Sequence, residues 1–350
     1  MADIAGKQGF LARKGIEVSF QRYCIDALGA MAQGLFASLL IGTIFNTLGD
    51  LAGLEACRTI GGFAMAVSGP AMAIAIGSAL QAPPLVLFSL AAVGQAANAA
   101  GGAGGPLAVL VVAIVAAEFG KAVSKETRVD ILVTPGVTVG LGCAFALLVA
   151  PWIGAAASSV GQLIMWATEL QPFFMGIIVA VVIGVALTLP ISSAAICAAL
   201  SLTGLAGGAA LAGCCAQMVG FAVASFRENG AGGLISQGIG TSMLQMKNIV
   251  RKPSVWVPAL VASAVNGPIA TCIFGMEQNG AAIASGMGTC GLVGPIGLYT
   301  GWIADGIAPG AFEWLGMIVV CAVVPAVVAG AVSELMRRTG IIADGDMALD

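Results

Sequence analysis

Residues 229–246 read NGAGGLISQGIGTSMLQM, and residues 280–304 read GAAIASGMGTCGLVGPIGLYTGWIA. The first lies between Arg227 and the basic group Lys247, Arg251 and Lys252. The second lies between the acidic residues Glu277 and Asp305. Each stretch is apolar and rich in glycine; the first lies between two clusters that their Lys and Arg mark as cytoplasmic, and the second between two acidic external ones. A span that crossed a bilayer would exchange one flanking sign for the other, so both stretches are predicted to be re-entrant. Irregular backbone at membrane depth survives only where protein or a water-filled cavity satisfies its N–H and C=O groups. The two stretches share a pattern, Gly238-Ile239-Gly240-Thr241-Ser242 and Gly286-Met287-Gly288-Thr289-Cys290. Opposed broken elements that meet near the midplane are a common way to build a transport site.

The rest of the chain sets the same context. Its 350 residues are 59% hydrophobic and only 9% charged, with 50 glycines and a mean hydropathy of +1.02. A soluble domain carries about 25% charged residues, and a water-facing surface cannot be built from so few. The composition therefore predicts an all-α polytopic membrane protein, one membrane domain over residues 1–350. The small residues suit close helix packing in lipid.

Charge clusters fix the expected topology. Lys and Arg mark cytoplasmic loops, and they gather in 1–24 (Lys7, Arg13, Lys14, Arg22), at Lys121, Lys125 and Arg128, at Lys247–Lys252, and at Arg337 and Arg338. The intervening loops carry Asp50 and Glu55 (with Arg58), Glu169, or Glu277, Asp305 and Glu313. Helices of about 20 residues then fit at 25–48, three times in 61–119 with breaks at Pro83-Pro84 and Gly101-Gly102, at 131–150, three times in 172–226 with breaks near Pro190 and Gly204, at 255–276 and at 314–334. That is about ten spans plus two hairpins, with both termini cytoplasmic in a bacterial inner membrane. No compact apolar core precedes a small-residue cleavage site, so 1–24 is expected to be an amphipathic segment on the cytoplasmic face and 335–350 a cytoplasmic tail. The five tryptophans fall near expected span ends, as an interfacial belt requires.

Several function classes drop out. The net charge of -3 and the lack of a Lys/Arg patch give no nucleic-acid partner. The chain has no histidine, which removes Ser-His-Asp and Cys-His catalysis. Nine cysteines form no CxxC pair, so no metal site is expected. No nucleotide loop occurs, and no cofactor or catalytic residue is expected. Among carboxylates, Glu118 reads as an interfacial charge beside Lys121, whereas Glu277 is a candidate for a solute or proton role. The remaining candidates are neutral. Ser192 and Ser193 follow the break at Pro190, and Gln217 follows Cys214-Cys215. Gln237, Gly238, Gly240, Thr241, Ser242 and Gln245 line the first re-entrant stretch, and Gly286, Gly288 and Thr289 the second. Asn266 precedes Gly267-Pro268. Hydroxyls and amides both donate and accept, which suits a polyhydroxylated neutral solute such as a sugar.

The stretch 188–248, TLPISSAAICAALSLTGLAGGAALAGCCAQMVGFAVASFRENGAGGLISQGIGTSMLQMKN, resembles the membrane subunit IIC of the phosphotransferase system. So do 125–135 (KETRVDILVTP), 286–297 (GMGTCGLVGPIG) and 22–44 (RYCIDALGAMAQGLFASLLIGTI). The nearest branch is the stand-alone IIC-like family that includes the clostridial toxin regulator. The resemblance implies ten spans, two re-entrant hairpins and a homodimer. It also implies separate IIA and IIB partners for any phosphorylation. Sugar-phosphorylating members carry a histidine and a glutamate at the sugar, the latter in a Gly-Ile-Thr-Glu-Pro type motif. Here the nearest match is Asn266-Gly267-Pro268-Ile269, without the glutamate. A transporter subunit for a small polar solute is the leading expectation. A membrane solute sensor and an ion-coupled porter using Glu277 are the alternatives.

Overall fold

A computed structural model describes residues 10–349. Lys7 lies outside the described residues, as does the rest of 1–9, and the side chain of Asp50 is likewise outside. The described chain is helical, with no strand among the described residues; a single bridge joins Gly204 to Gln278. The main helices are α1 (Gln21–Asn46), α2 (Glu55–Ala66), α3 (Ser68–Ala79), α4 (Pro84–Gly101), α5 (Gly105–Val123), α6 (Asp130–Thr168), α7 (Pro172–Thr188), the short α8 (Ser193–Ala199), α9 (Gly204–Ala224), α10 (Phe226–Ile235), the short α11 (Met246–Arg251), α12 (Pro253–Ile273), α13 (Val293–Ala304) and α14 (Ala311–Arg338). By length and hydropathy, six helical stretches can cross a membrane, and the pair α2–α3, bent by 48°, makes a seventh.

Packing divides the chain into two compact units, 1–38 with 66–154 and 39–65 with 155–350. In the first unit, α4 and α5 form an antiparallel hairpin. Gly105 lies against Asn98 near the turn, and Gly120 lies against Val86 at the far end. The break expected at Gly101-Gly102 is this turn; Gly102 has φ +50, which only glycine adopts freely. Helices close up where glycines face each other: Gly34 meets the Ala71 backbone, and Gly69 meets Gly94. Glu118 and Lys121 form a largely buried pair. Lys121 is 2% exposed, 2.9 Å from Glu118, and donates to the carbonyls of Gly15 and Leu80. Lys14 bridges to Glu126 in the following loop, and its hydrogen bond and charge hold Glu126 below the usual carboxylate range. Phe10, Leu11, Val18 and Phe20 are exposed.

The second unit is built on α7, α9, α12 and α14. Thr271 lies on Pro172 and Gly267 on Gly176, so α12 runs antiparallel to α7. Gly220 with Ala259, Gln217 with Ser263 and Ala212 with Asn266 make it antiparallel to α9 as well. Helices α7 and α9 are therefore parallel, with Gly213 set directly on the Ala180 backbone. A parallel pair requires the chain to return between them. That return is 189–203, where only the seven residues of α8 are helical. The third crossing expected in 172–226 is thus a broken element. Helix α6 also differs from expectation, continuing to Thr168 instead of ending near 150. Trp302 is 7% exposed in an apolar cluster with Leu211, Cys215 and Leu298, so it does not belong to an interfacial belt. The 21 residues of α9 are about 31 Å long at 1.5 Å per residue, matching a hydrocarbon core of about 30 Å.

All Lys and Arg of 155–349 gather at one end of this unit, where α9 ends, α12 begins and α14 ends. Glu277, Asp305 and Glu313 lie at the other.

Candidate solute site at the hairpin tips

The two glycine-rich stretches fold as opposed helical hairpins within the second unit. Hairpin 1 comprises α10, a π-turn at Ser236–Gly240, the extended residue Thr241 and the return through Ser242–Arg251. Both of its arms start from the basic end, where Asn229 and Gln245 share the carbonyl of Met347. Hairpin 2 begins at Gln278, which pairs with Gly204 at the acidic end. It reverses at Gly288–Leu292 and returns as α13, whose Gly297 and Gly301 lie on 278–284. Asn279 donates to Asp305 at 2.8 Å and closes its base. The reversal needs left-handed backbone, supplied by Gly288 (φ +54), Gly291 (φ +52) and Leu292 (φ +60).

The tips meet. Thr289 Oγ1 donates to the carbonyl of Gly238, with the Met218 sulfur 3.6 Å away. Gly286 and Gly288 let hairpin 2 approach: a Cβ at Gly286 would lie 2.6 Å from the Ser193 carbonyl oxygen, and one at Gly288 would lie 2.8 Å from the Cys214 backbone. Ser193 Oγ donates to the Gly286 carbonyl at 2.7 Å, tying the broken crossing to hairpin 2. Ser192 acts locally, accepting the Ala195 N–H as an N-cap. Gly240 ends the π-turn, and Thr241 Oγ1 accepts the Met243 N–H to start the return.

Behind the tips runs a buried polar chain. Gln217 Oε1 accepts from Trp256 Nε1 at 2.8 Å and from Thr188 Oγ1 at 3.1 Å, and its Nε2 donates to Ser263 at 3.0 Å. Thr188 also meets Ser242 at 2.8 Å, so the break after α7 is joined to the tip of hairpin 1. Within that hairpin, Gln245 donates to Gln237, which donates to Ser225. Asn266 stands on α12, donating to the carbonyls of Ala212 and Val320, while its own Oδ1 is buried without a partner.

Glu277 is not brought to the tips. It lines a separate cleft of about 270 Å³ with Asp305, Glu313, Phe274 and Trp302, and accepts from Asn279. Beside the tips lies a cleft of about 410 Å³ whose walls, apart from Gly238 and Thr289, are apolar, including Val219, Ile239, Met317 and Cys321. Trp256, Thr188, Ser263 and Ser225 join the polar chain without having been singled out in the sequence as solute-site residues. Trp256 reads there as a belt residue, and single hydroxyls on apolar helices usually bond to their own backbone.

Opposed broken helical elements that meet at their tips are one way membrane transporters build a solute site. The family model described as Phosphotransferase system, EIIC matches residues 25–349, so the chain belongs to the EIIC family of that system. No curated protein and no solved structure matches it.

Proposed function

We propose that this EIIC chain moves a small, neutral, polyhydroxylated solute across the bacterial inner membrane by parting and re-forming the contact between its two hairpins. The single observation that supports this reading is the bond from Thr289 to the Gly238 carbonyl, made by hairpins that enter from opposite ends. A solute placed between the tips would take over these groups, with Ser242, Thr188 and Gln217 behind them. Mixed donors and acceptors without a nearby carboxylate favour hydroxyl groups over ions. Glu277 stands in the outer cleft, which counts against an ion-coupled porter.

In this reading the whole chain acts as one transport domain, the unit works as a homodimer in lipid, and both termini face the cytoplasm with the basic loops. Phosphorylation of the solute would require separate IIA and IIB proteins. The test is a thermal-shift screen of the purified chain against hexoses, hexitols and small organic acids. Stabilisation by a hexose or hexitol that Ser242→Ala weakens supports the reading. Stabilisation by acids alone counts against it.

A further inference from the structure

Residues 339–349 follow α14 and carry Asp344 and Asp346, a composition that suits a solvated tail. They are instead fastened across the base of hairpin 1. Met347 is fully buried and Ile342 nearly so. The Met347 carbonyl accepts from Asn229 Nδ2 on the outgoing arm and from Gln245 Nε2 on the returning arm, both at 2.9 Å. Asn248 Nδ2 donates to the Ala348 carbonyl at 2.9 Å, and the Leu349 N–H donates to Asn229 Oδ1 at 2.8 Å. Lys252, just beyond the returning arm, pairs with Asp346 at 2.6 Å. Arg337 anchors the start of the segment, binding Glu228 at 2.7 Å and Asp344 at 3.2 Å. Both arms are thus held by one strap, and neither can shift without breaking polar bonds to it. The strap also reaches the tips: Gln245, which binds Met347, binds Gln237, the neighbour of the Gly238 that receives Thr289.

We propose that residues 339–349 are a conformational clamp that holds hairpin 1 in its tip-to-tip position, and that releasing the strap frees the hairpin to move. That such movement opens a solute path rests on the transport reading above; the clamp itself does not.

The test is hydrogen–deuterium exchange of the full-length protein in lipid nanodiscs, which needs no solute and so separates failure of the clamp from failure of the transport reading. Lys252→Asp and Asp346→Lys each place like charges together, and Met347→Ala empties the buried socket. The two charge variants are each expected to raise exchange across 229–251 about tenfold, the factor set by losing one charge-assisted hydrogen bond, and Met347→Ala is expected to raise it by about tenfold or more, the effect of emptying a buried socket. Exchange in α9 and α12 should stay at the wild-type rate. The double variant Lys252→Asp/Asp346→Lys restores opposite charges and should return 229–251 to within about threefold of wild type. A rise confined to 339–349, or a double variant as fast as the singles, would overturn the clamp.

Discussion

Replacing Thr289 by valine keeps the side-chain shape and deletes the hydroxyl that joins the hairpins. The Gly238 carbonyl it serves is buried. A neutral hydrogen bond contributes about 0.5–1.5 kcal/mol net, and a buried acceptor left unpaired costs about 1–3 kcal/mol. Polar contacts measured between helices in a membrane protein average about 0.6 kcal/mol, because the alternative state finds other partners. The contact joins two tips, so its loss acts on their separation. The expected loss is therefore about 1–2 kcal/mol of closed arrangement, with opening favoured roughly fivefold to thirtyfold. Exchange of the amides in 236–243 and 286–292 should rise by that factor in nanodiscs, since local opening controls it. Thr289→Ser keeps the hydroxyl and should stay near wild type. Unchanged exchange in the valine variant, or an equal rise in the serine variant, would refute the argument that this bond holds the tips together.

Gly213→Ala should lower the melting temperature, because its Cβ would overlap the Ala180 carbonyl; overpacking costs about 1–3 kcal/mol or more, and a wild-type melting curve would contradict the close approach of α7 and α9. Gln217→Leu strands Trp256 Nε1, while Thr188 keeps Ser242 and Ser263 keeps the Ala259 carbonyl; a loss of about 1–3 kcal/mol in denaturant unfolding is expected, and a loss under about 0.5 kcal/mol would dissolve the polar chain. Burial pushes the Asp346 carboxyl up, but the Lys252 hydrogen bond and the Ala343 N–H outweigh it and leave it below its ordinary value. A depressed carboxylate stabilises the folded form above the unfolded pKa and loses that contribution as pH falls through the depressed value. Intrinsic-rate-corrected exchange of 339–349 should therefore be flat from about pH 8 to 5 and rise below about 4; a rise centred near neutrality would contradict it.

Much of this was legible in the residues. Lys and Arg on both sides of 229–246 and carboxylates on both sides of 280–304 marked the hairpins, and the repeated GxGT element marked their tips. Pro190 and Gly204 marked the broken crossing, although not that α7 and α9 would lie parallel as a result. Other features had no local signature. Trp256 sits where a belt residue belongs, and only packing of α12 on α9 turns its indole toward Gln217. Glu277 is near the second hairpin in sequence, but the chain turns at Gln278 and leaves it in the separate acidic cleft. The strap was hidden for a similar reason: one buried methionine in an acidic segment shows no periodicity. Its carbonyl partners Asn229 and Gln245 lie more than 100 residues away.

In the transport proposed above, solute passes where the hairpin tips meet. Counterflow uptake of labelled hexoses and hexitols into proteoliposomes tests it most directly, with wild type beside a variant whose tips are cross-linked through cysteines at Ile239 and Leu292 in a background stripped of native cysteines. Saturable uptake of at least one labelled compound by the uncross-linked protein is expected, abolished by the cross-link and restored on reduction. Uptake that continues with the tips locked together would contradict it.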